Sequence, residues 1–136
     1  MKHKDAYNEA MRYVENAKLQ LKQAGKEDKY FYDEKYVKTA CGTAYSGILV
    51  ALDKLFDIKN MPKRRGRKSI EYYQNNLGQI DNKLLKNLNT AYRILHLEGY
   101  YEGETKIKVI EEGFDSAITI IEALKPYSKN GVAKAE

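Results

Sequence analysis

Apolar residues recur at helical spacing along two long stretches of the chain that contain no proline. Pro62 and Pro126 are the only prolines, so no proline interrupts a helix before position 62 or between positions 62 and 126. No segment shows the apolar–polar alternation that is typical of strands. The spacing predicts an all-α, up-down antiparallel bundle of four long helices plus one short helix. The predicted helices are about Asp5–Ala24, Asp33–Asp57, Ile70–Leu77, Asp81–Glu98 and Glu104–Lys125.

Residues that favour helix ends stand at several of these boundaries. Asp33 and Ser69 have side chains that can accept hydrogen bonds from the first backbone N–H groups of a helix. Gly25 stands where a C-terminal cap would end the first helix, and Gly78 is predicted to break the short one. Pro126 cannot continue the last helix and is expected to stop it.

The second predicted helix is apolar on more than one side and slim in its middle. The breadth of apolar residues over Val37–Phe56 indicates contacts with neighbours on several sides. Each of its two mid-helix glycines costs about 1 kcal/mol relative to alanine. Close helix–helix approach, in the core or across a dimer interface, would offset that cost. We assign three of its small residues to a homodimer interface: Ala40, Ala44 and Gly47.

Length and composition exclude several classes of protein. A chain of 136 residues is long enough for one self-sufficient domain, predicted at 1–126, with 127–136 a disordered tail. The single cysteine, Cys41, excludes an intramolecular disulfide and a cysteine-rich zinc site. We find neither a membrane-spanning apolar run nor a signal peptide, and we predict a cytoplasmic protein with no membrane partner, no metal and no cofactor.

The net positive charge lies in one segment, Lys59–Lys68. The whole chain has 24 basic and 19 acidic side chains, and removing this segment leaves 18 basic against 19 acidic. It can bind the phosphate backbone of a nucleic acid such as RNA, or it can be a solvated connector. For the first alternative, the candidate nucleic-acid-binding residues are Lys63, Arg64, Arg65, Arg67 and Lys68.

Three stretches together resemble the HEPN superfamily of small helical bundles, and in particular its uncharacterised one-domain bacterial members. They read AYNEAMRYVENAKLQLKQAG, KYVKTACGTAYSGILVALDKLF and LNTAYRILHLEGYYEGETKIKVIEEGFDSAITIIEAL. The resemblance implies a helical bundle that acts as a dimer. It also implies one of several roles, since some HEPN proteins are metal-independent ribonucleases of toxin or defence systems. Others bind nucleotides or serve as partners of nucleotidyltransferases.

The ribonuclease members share an arginine followed, at a longer interval than here, by a histidine. In this chain only Ile94 and Leu95 separate Arg93 from His96, and the other histidine, His3, has no arginine before it. Arg93 and His96 can still share a helix face, with the cation holding a phosphate and the imidazole moving a proton. The alternative is a surface arginine and a histidine packed near the helix end. The Glu-x-x-His spacing of a di-iron bundle is also absent, because the residue three before His96 is Arg93 and not a glutamate.

Three tyrosines, Tyr92, Tyr100 and Tyr101, lie close to His96 in sequence. They can stack on a base, or they can wedge the turn that follows the helix.

Taken together, the sequence predicts a non-enzymatic HEPN-like interaction module that self-associates and binds a protein or nucleic-acid partner. The alternatives are a ribonuclease toxin that uses Arg93 and His96, and a nucleic-acid accessory protein that binds through residues 59–68.

Overall fold

A computed structural model describes residues 5–64 and 66–128. His3, Arg65 and residues 129–136 lie outside the described residues, and so does most of the predicted tail. The described part is an all-α bundle, as predicted, with one very short hairpin added. Its buried apolar side chains form one core to which every helix of the bundle contributes. No helix in the described part of the chain is both long enough and apolar enough to cross a membrane.

Helix α1 (Ala6–Gln23) matches the predicted first helix closely. The Asp5 carboxylate accepts hydrogen bonds from the backbone N–H groups of Tyr7 and Asn8, at 3.1 and 3.4 Å. The helix ends at Gln23 with Ala24 as its C-cap, and Gly25 follows with a φ of +68°, a backbone conformation that glycine adopts without strain.

Strands β1 (Lys26–Glu27) and β2 (Tyr30–Phe31) form an antiparallel hairpin between the first two helices, where the sequence predicted no strand. Two residues per strand are too few to produce a recognisable alternation. The hairpin is hydrogen-bonded to the loop before the last helix, because the Phe31 N–H donates to the Thr105 carbonyl at 2.8 Å. It therefore fixes the loop between α1 and the next helix against the start of the last one.

Helix α2 (Glu34–Ile58) is the centre of the bundle, as the predicted breadth of its apolar surface requires. Ala40 and Ala44 are completely buried, and a Cβ on Gly47 would lie 2.8 Å from the Tyr13 Cβ of α1. The close helix approach predicted at these three positions is thus internal to one chain. Since they are already covered, a homodimer interface would need residues other than Ala40, Ala44 and Gly47.

Helix α3 (Ile70–Ile80) is longer than predicted, because Gly78 lies inside the helix and does not break it. The Ser69 hydroxyl accepts the Tyr72 N–H at 3.3 Å, so the predicted cap is confirmed. The chain turns instead at Asp81, whose carboxylate accepts the Lys83 N–H at 2.9 Å and caps helix α4 (Asn82–Ala91).

The helix predicted over Asp81–Glu98 changes character after Ala91. From Tyr92 to Tyr101 the backbone is a π-helix, in which N–H groups bond to carbonyls five residues earlier. The Glu102 N–H continues this pattern by donating to the Leu97 carbonyl at 3.1 Å. Apolar spacing cannot reveal such a segment, because residues four apart and five apart both return to the same face.

Helix α5 (Ile107–Glu122) closes the bundle and is shorter at both ends than the predicted 104–125. A Cβ on its Gly113 would lie 2.6 Å from the Ile94 Cγ2, so α5 and the π-helix also approach closely. A short 3-10 turn, Lys125–Tyr127, follows and contains Pro126.

Two glycines should respond oppositely to replacement by alanine. A Cβ on Gly99 would collide with the Cys41 Sγ and lie 3.0 Å from the Ile94 carbonyl oxygen, so Gly99→Ala should destabilise the fold by about 1–3 kcal/mol. Gly78→Ala, whose nearest contact is the flexible Leu85 side chain at 3.4 Å, should be neutral or stabilising by up to about 1 kcal/mol. Urea unfolding of both variants measures the difference. A neutral Gly99→Ala would contradict the close contact between the π-helix and α2.

Candidate functional site

A groove of about 510 Å³ opens between α1, α2 and the π-helix. It is lined by small, hydroxylated and aromatic side chains, and none of its lining residues is Asp, Glu, Lys or Arg. The lining consists of Tyr13, Thr39, Gly42, Thr43, Tyr45, Ser46, Leu49, His96 and Tyr100. Three separate elements of the chain supply this set, and only His96 and Tyr100 stand out in the sequence as candidates.

The floor of the groove is the solvent-facing stripe of α2. Thr39, Thr43 and Ser46 follow one another at helical spacing, so they share one side of the helix. The Thr39 and Ser46 hydroxyls each donate back to a carbonyl of their own helix, at 3.1 Å. Their small size keeps the floor low between its two walls.

The wall on the π-helix side depends on Gly42. A Cβ at Gly42 would lie 2.9 Å from the Tyr100 Cδ1, so the tyrosine ring rests directly on the backbone of α2. Glycine at this position is therefore explained by a contact inside the chain that shapes the groove. Any larger residue would push Tyr100 off the floor.

His96 stands inside a cluster of tyrosine rings. Its ring stacks on Tyr45 at 4.8 Å and on Tyr92 at 5.2 Å between centroids. Tyr100 lies 6.2 Å away and nearly parallel, and Tyr101 meets the imidazole edge to face at 4.9 Å. Residues 92, 96, 100 and 101 meet here because the wide π-helical turn brings positions four and five apart onto one face.

Burial determines the charge state of this cluster. Loss of hydration lowers the pKa of His96 from its ordinary value of 6.5. Burial, and then the neighbouring Tyr92, raises the pKa of Tyr45. Both groups are therefore neutral at pH 7, and the groove is uncharged at physiological pH.

Arg93 does not join His96 in this cluster. Its guanidinium donates to the Glu98 carboxylate at 3.1 Å, while the His96 ring stacks on Tyr45. Arg93 is thus a surface cation already engaged by an acid, and the two candidate ribonuclease residues have different partners. The described residues hold no group of three His, Cys, Asp or Glu side chains placed to bind a metal ion.

The basic segment is partly neutralised by acids of α2. Lys63 pairs with Asp57 at 3.0 Å, and Lys68 pairs with Asp53 at 3.1 Å. Arg64 and Arg67 are exposed. The sequence did not predict these ion pairs, because both acids lie outside the basic segment, on α2. They reduce the positive field that a nucleic-acid backbone would meet.

Cys41 is buried beside the π-helix. Burial raises the pKa of its thiol to about 12, so the thiol remains protonated. A protonated, enclosed thiol is a poor nucleophile. Its role is to pack against Gly99.

Comparison with known proteins places the chain in a family. Residues 5–125 match the family described as "Domain of unknown function (DUF5618)". The chain belongs to the DUF5618 family. The structure of a "protein of unknown function from Dyadobacter fermentans" is similar to this DUF5618 chain with 43% sequence identity and a TM-score of 0.81. The match covers 88% of this chain and 93% of that one. No curated protein matches the chain.

The lowered pKa of His96 predicts a pH dependence of stability. Between the folded pKa and about 6.5 the unfolded chain binds more protons than the folded one, so the free energy of unfolding falls as the pH drops through that window. Below the folded pKa the effect levels off. His96→Gln should remove this component, which urea unfolding at about pH 7.5 and pH 5 measures as the difference between the two proteins. An NMR-titrated His96 pKa at or above 6.5 would contradict the packed imidazole.

Proposed function

We propose that this DUF5618 protein is a non-enzymatic, HEPN-like interaction module that self-associates through the groove. The observation that supports this most is the absence of charge from the groove lining in a chain of which 32% of the residues are charged. The centres of protein–protein interfaces lack charged residues and are rich in aromatic ones. A tyrosine-walled, uncharged groove has that composition.

The chemistry of the groove favours a protein partner over a nucleic acid. Binding to a phosphate backbone needs cations, and the lining provides none. Tyrosine rings instead bury apolar area at little entropic cost and keep a hydroxyl available for hydrogen bonds. The threonine and serine hydroxyls of the floor can serve a protein surface in the same way.

Two features favour a second copy of the chain as that partner. Tyr100 and Tyr101 are 46% and 63% exposed; Tyr100 lines the groove beside its floor of small side chains, and Tyr101 contacts Tyr100. The same chain thus offers both protruding rings and a stripe that could receive them, which an isologous dimer requires. The HEPN resemblance, which implies dimers, points the same way.

A charge placed on the groove floor tests this dimer. Thr39→Arg and Ser46→Arg replace exposed side chains, so the fold should survive. Each variant should weaken self-association by about 2 kcal/mol or more, about thirtyfold in Kd, because the interface would bury an unpaired cation. Sedimentation velocity or light scattering across micromolar concentrations measures the shift.

Thr119→Arg is the matched control, because it adds the same charge at an exposed position of α5 outside the groove lining. It should leave the Kd unchanged. A native protein that is monomeric at high micromolar concentration would remove the proposal. Equal weakening by all three variants would show that net charge, and not the groove, controls association.

The ribonuclease alternative has less support. Metal-free RNA cleavage needs a base for the 2′-hydroxyl, an acid for the leaving oxygen and a cation for the developing phosphorane charge. Here the imidazole is packed between tyrosine rings and the candidate cation is paired with Glu98. We expect the purified protein not to cleave RNA in a metal-free assay. Cleavage that is lost in His96→Ala would reverse this expectation.

A further inference from the structure

A second groove, of about 480 Å³, lies where the end of α1 meets the β1–β2 hairpin. Its lining shares no residue with the uncharged groove, and its chemistry is different. It combines an apolar floor with a cationic rim. Nothing in the proposed self-association uses it.

The floor consists of Leu21 and Phe31. Phe31 is only 5% exposed, and its backbone is fixed on both sides. It pairs with Lys26 across the hairpin and donates its N–H to the Thr105 carbonyl at 2.8 Å. The floor is therefore set by strand pairing and does not depend on a free loop.

Three cations, Lys18, Lys22 and Lys26, form the rim. Lys18 and Lys22 are four residues apart on α1, so they lie on the same side of that helix. Lys26 comes from the hairpin, and its Nζ lies 6.0 Å from the centre of the Phe31 ring. Within the described part of the chain, none of the three forms an ion pair within 4.0 Å.

One acid, Glu111 of α5, also lines this groove and opposes the three lysines. It leaves the lining with an excess of two positive charges. Lys22 in the last turn of α1 complements the helix dipole, which accounts for one of the lysines. Lys26 is placed over the Phe31 ring, and Phe31 itself belongs to the core. Among the described residues, Lys18 has neither an ion-pair partner nor a helix end to complement.

We propose that this groove binds a small amphipathic organic anion. Its apolar body would lie on Leu21 and Phe31, and its carboxylate or sulfonate head would lie among Lys18, Lys22 and Lys26. The volume is within the range of small-molecule sites, which are typically apolar with a few placed polar groups. The cations would set selectivity for an anion, and the floor would provide contact area. This inference does not depend on the dimer.

The probe is anilinonaphthalene sulfonate, an aromatic anion whose fluorescence rises on binding. The test variant carries Lys18→Gln, Lys22→Gln and Lys26→Gln. The control carries Lys35→Gln, Lys83→Gln and Lys86→Gln, which removes the same net charge from exposed positions outside this groove. We expect the Kd for the probe to rise about tenfold in the test variant and less than about twofold in the control.

Four further measurements test the same groove. Glu111→Gln removes the opposing acid and should tighten binding about twofold to threefold. Amide NMR shifts caused by the probe should centre on residues 18–31 and not on 39–46. Decanoate should displace the probe, and neutral phenylnaphthylamine should bind native and test proteins equally.

The proposal would be overturned by a native protein that does not bind the probe, by equal affinity in the native and test proteins, or by NMR shifts that centre on the uncharged groove. Loss of affinity in the control as large as in the test variant would also overturn it, because binding would then follow net charge alone.

Discussion

The close approach of the π-helix to α2 is the contact on which the rest of the structure depends. Gly99 leaves room for the Cys41 thiol, and Gly42 lets the Tyr100 ring lie on the α2 backbone. With the two helices held this near, the wide π-helical turn directs Tyr92, His96 and Tyr101 to one side. The groove, its aromatic wall and its neutral charge all follow from that one packing arrangement.

Local chemistry made much of the helical structure predictable. Asp33 and Ser69 cap the helices they were expected to cap, and the breadth of apolar residues on α2 correctly indicated a central helix. Gly78 was misread because a glycine costs a helix only about 1 kcal/mol, which the packing of α3 can offset. The hairpin and the π-helix were not predicted, because neither has a distinct spacing of apolar residues in the sequence. The groove was not predicted because its lining comes from three separate elements.

The fold places the candidate residues in contacts that differ from those predicted. Ala40, Ala44 and Gly47 were expected at a dimer interface, but all three are buried within one chain, and Gly47 lies against α1. On the groove side of α2 the exposed side chains are instead the hydroxylated Thr39 and Ser46. Arg93 and His96 are close in sequence yet have separate partners, an acid for one and aromatic rings for the other. The two grooves differ in chemistry: one is uncharged and aromatic, and the other has a cationic rim over an apolar floor.

The central claim is that the uncharged groove holds a second copy of the chain. Isotope-filtered NMR on a mixture of labelled and unlabelled protein tests it most directly, because it detects contacts only between different molecules. The account predicts intermolecular contacts between the ring protons of Tyr100 or Tyr101 and the methyl groups of Thr39 or Thr43. Intermolecular contacts confined to other surfaces, or none at concentrations where the mass is that of a dimer, would contradict it.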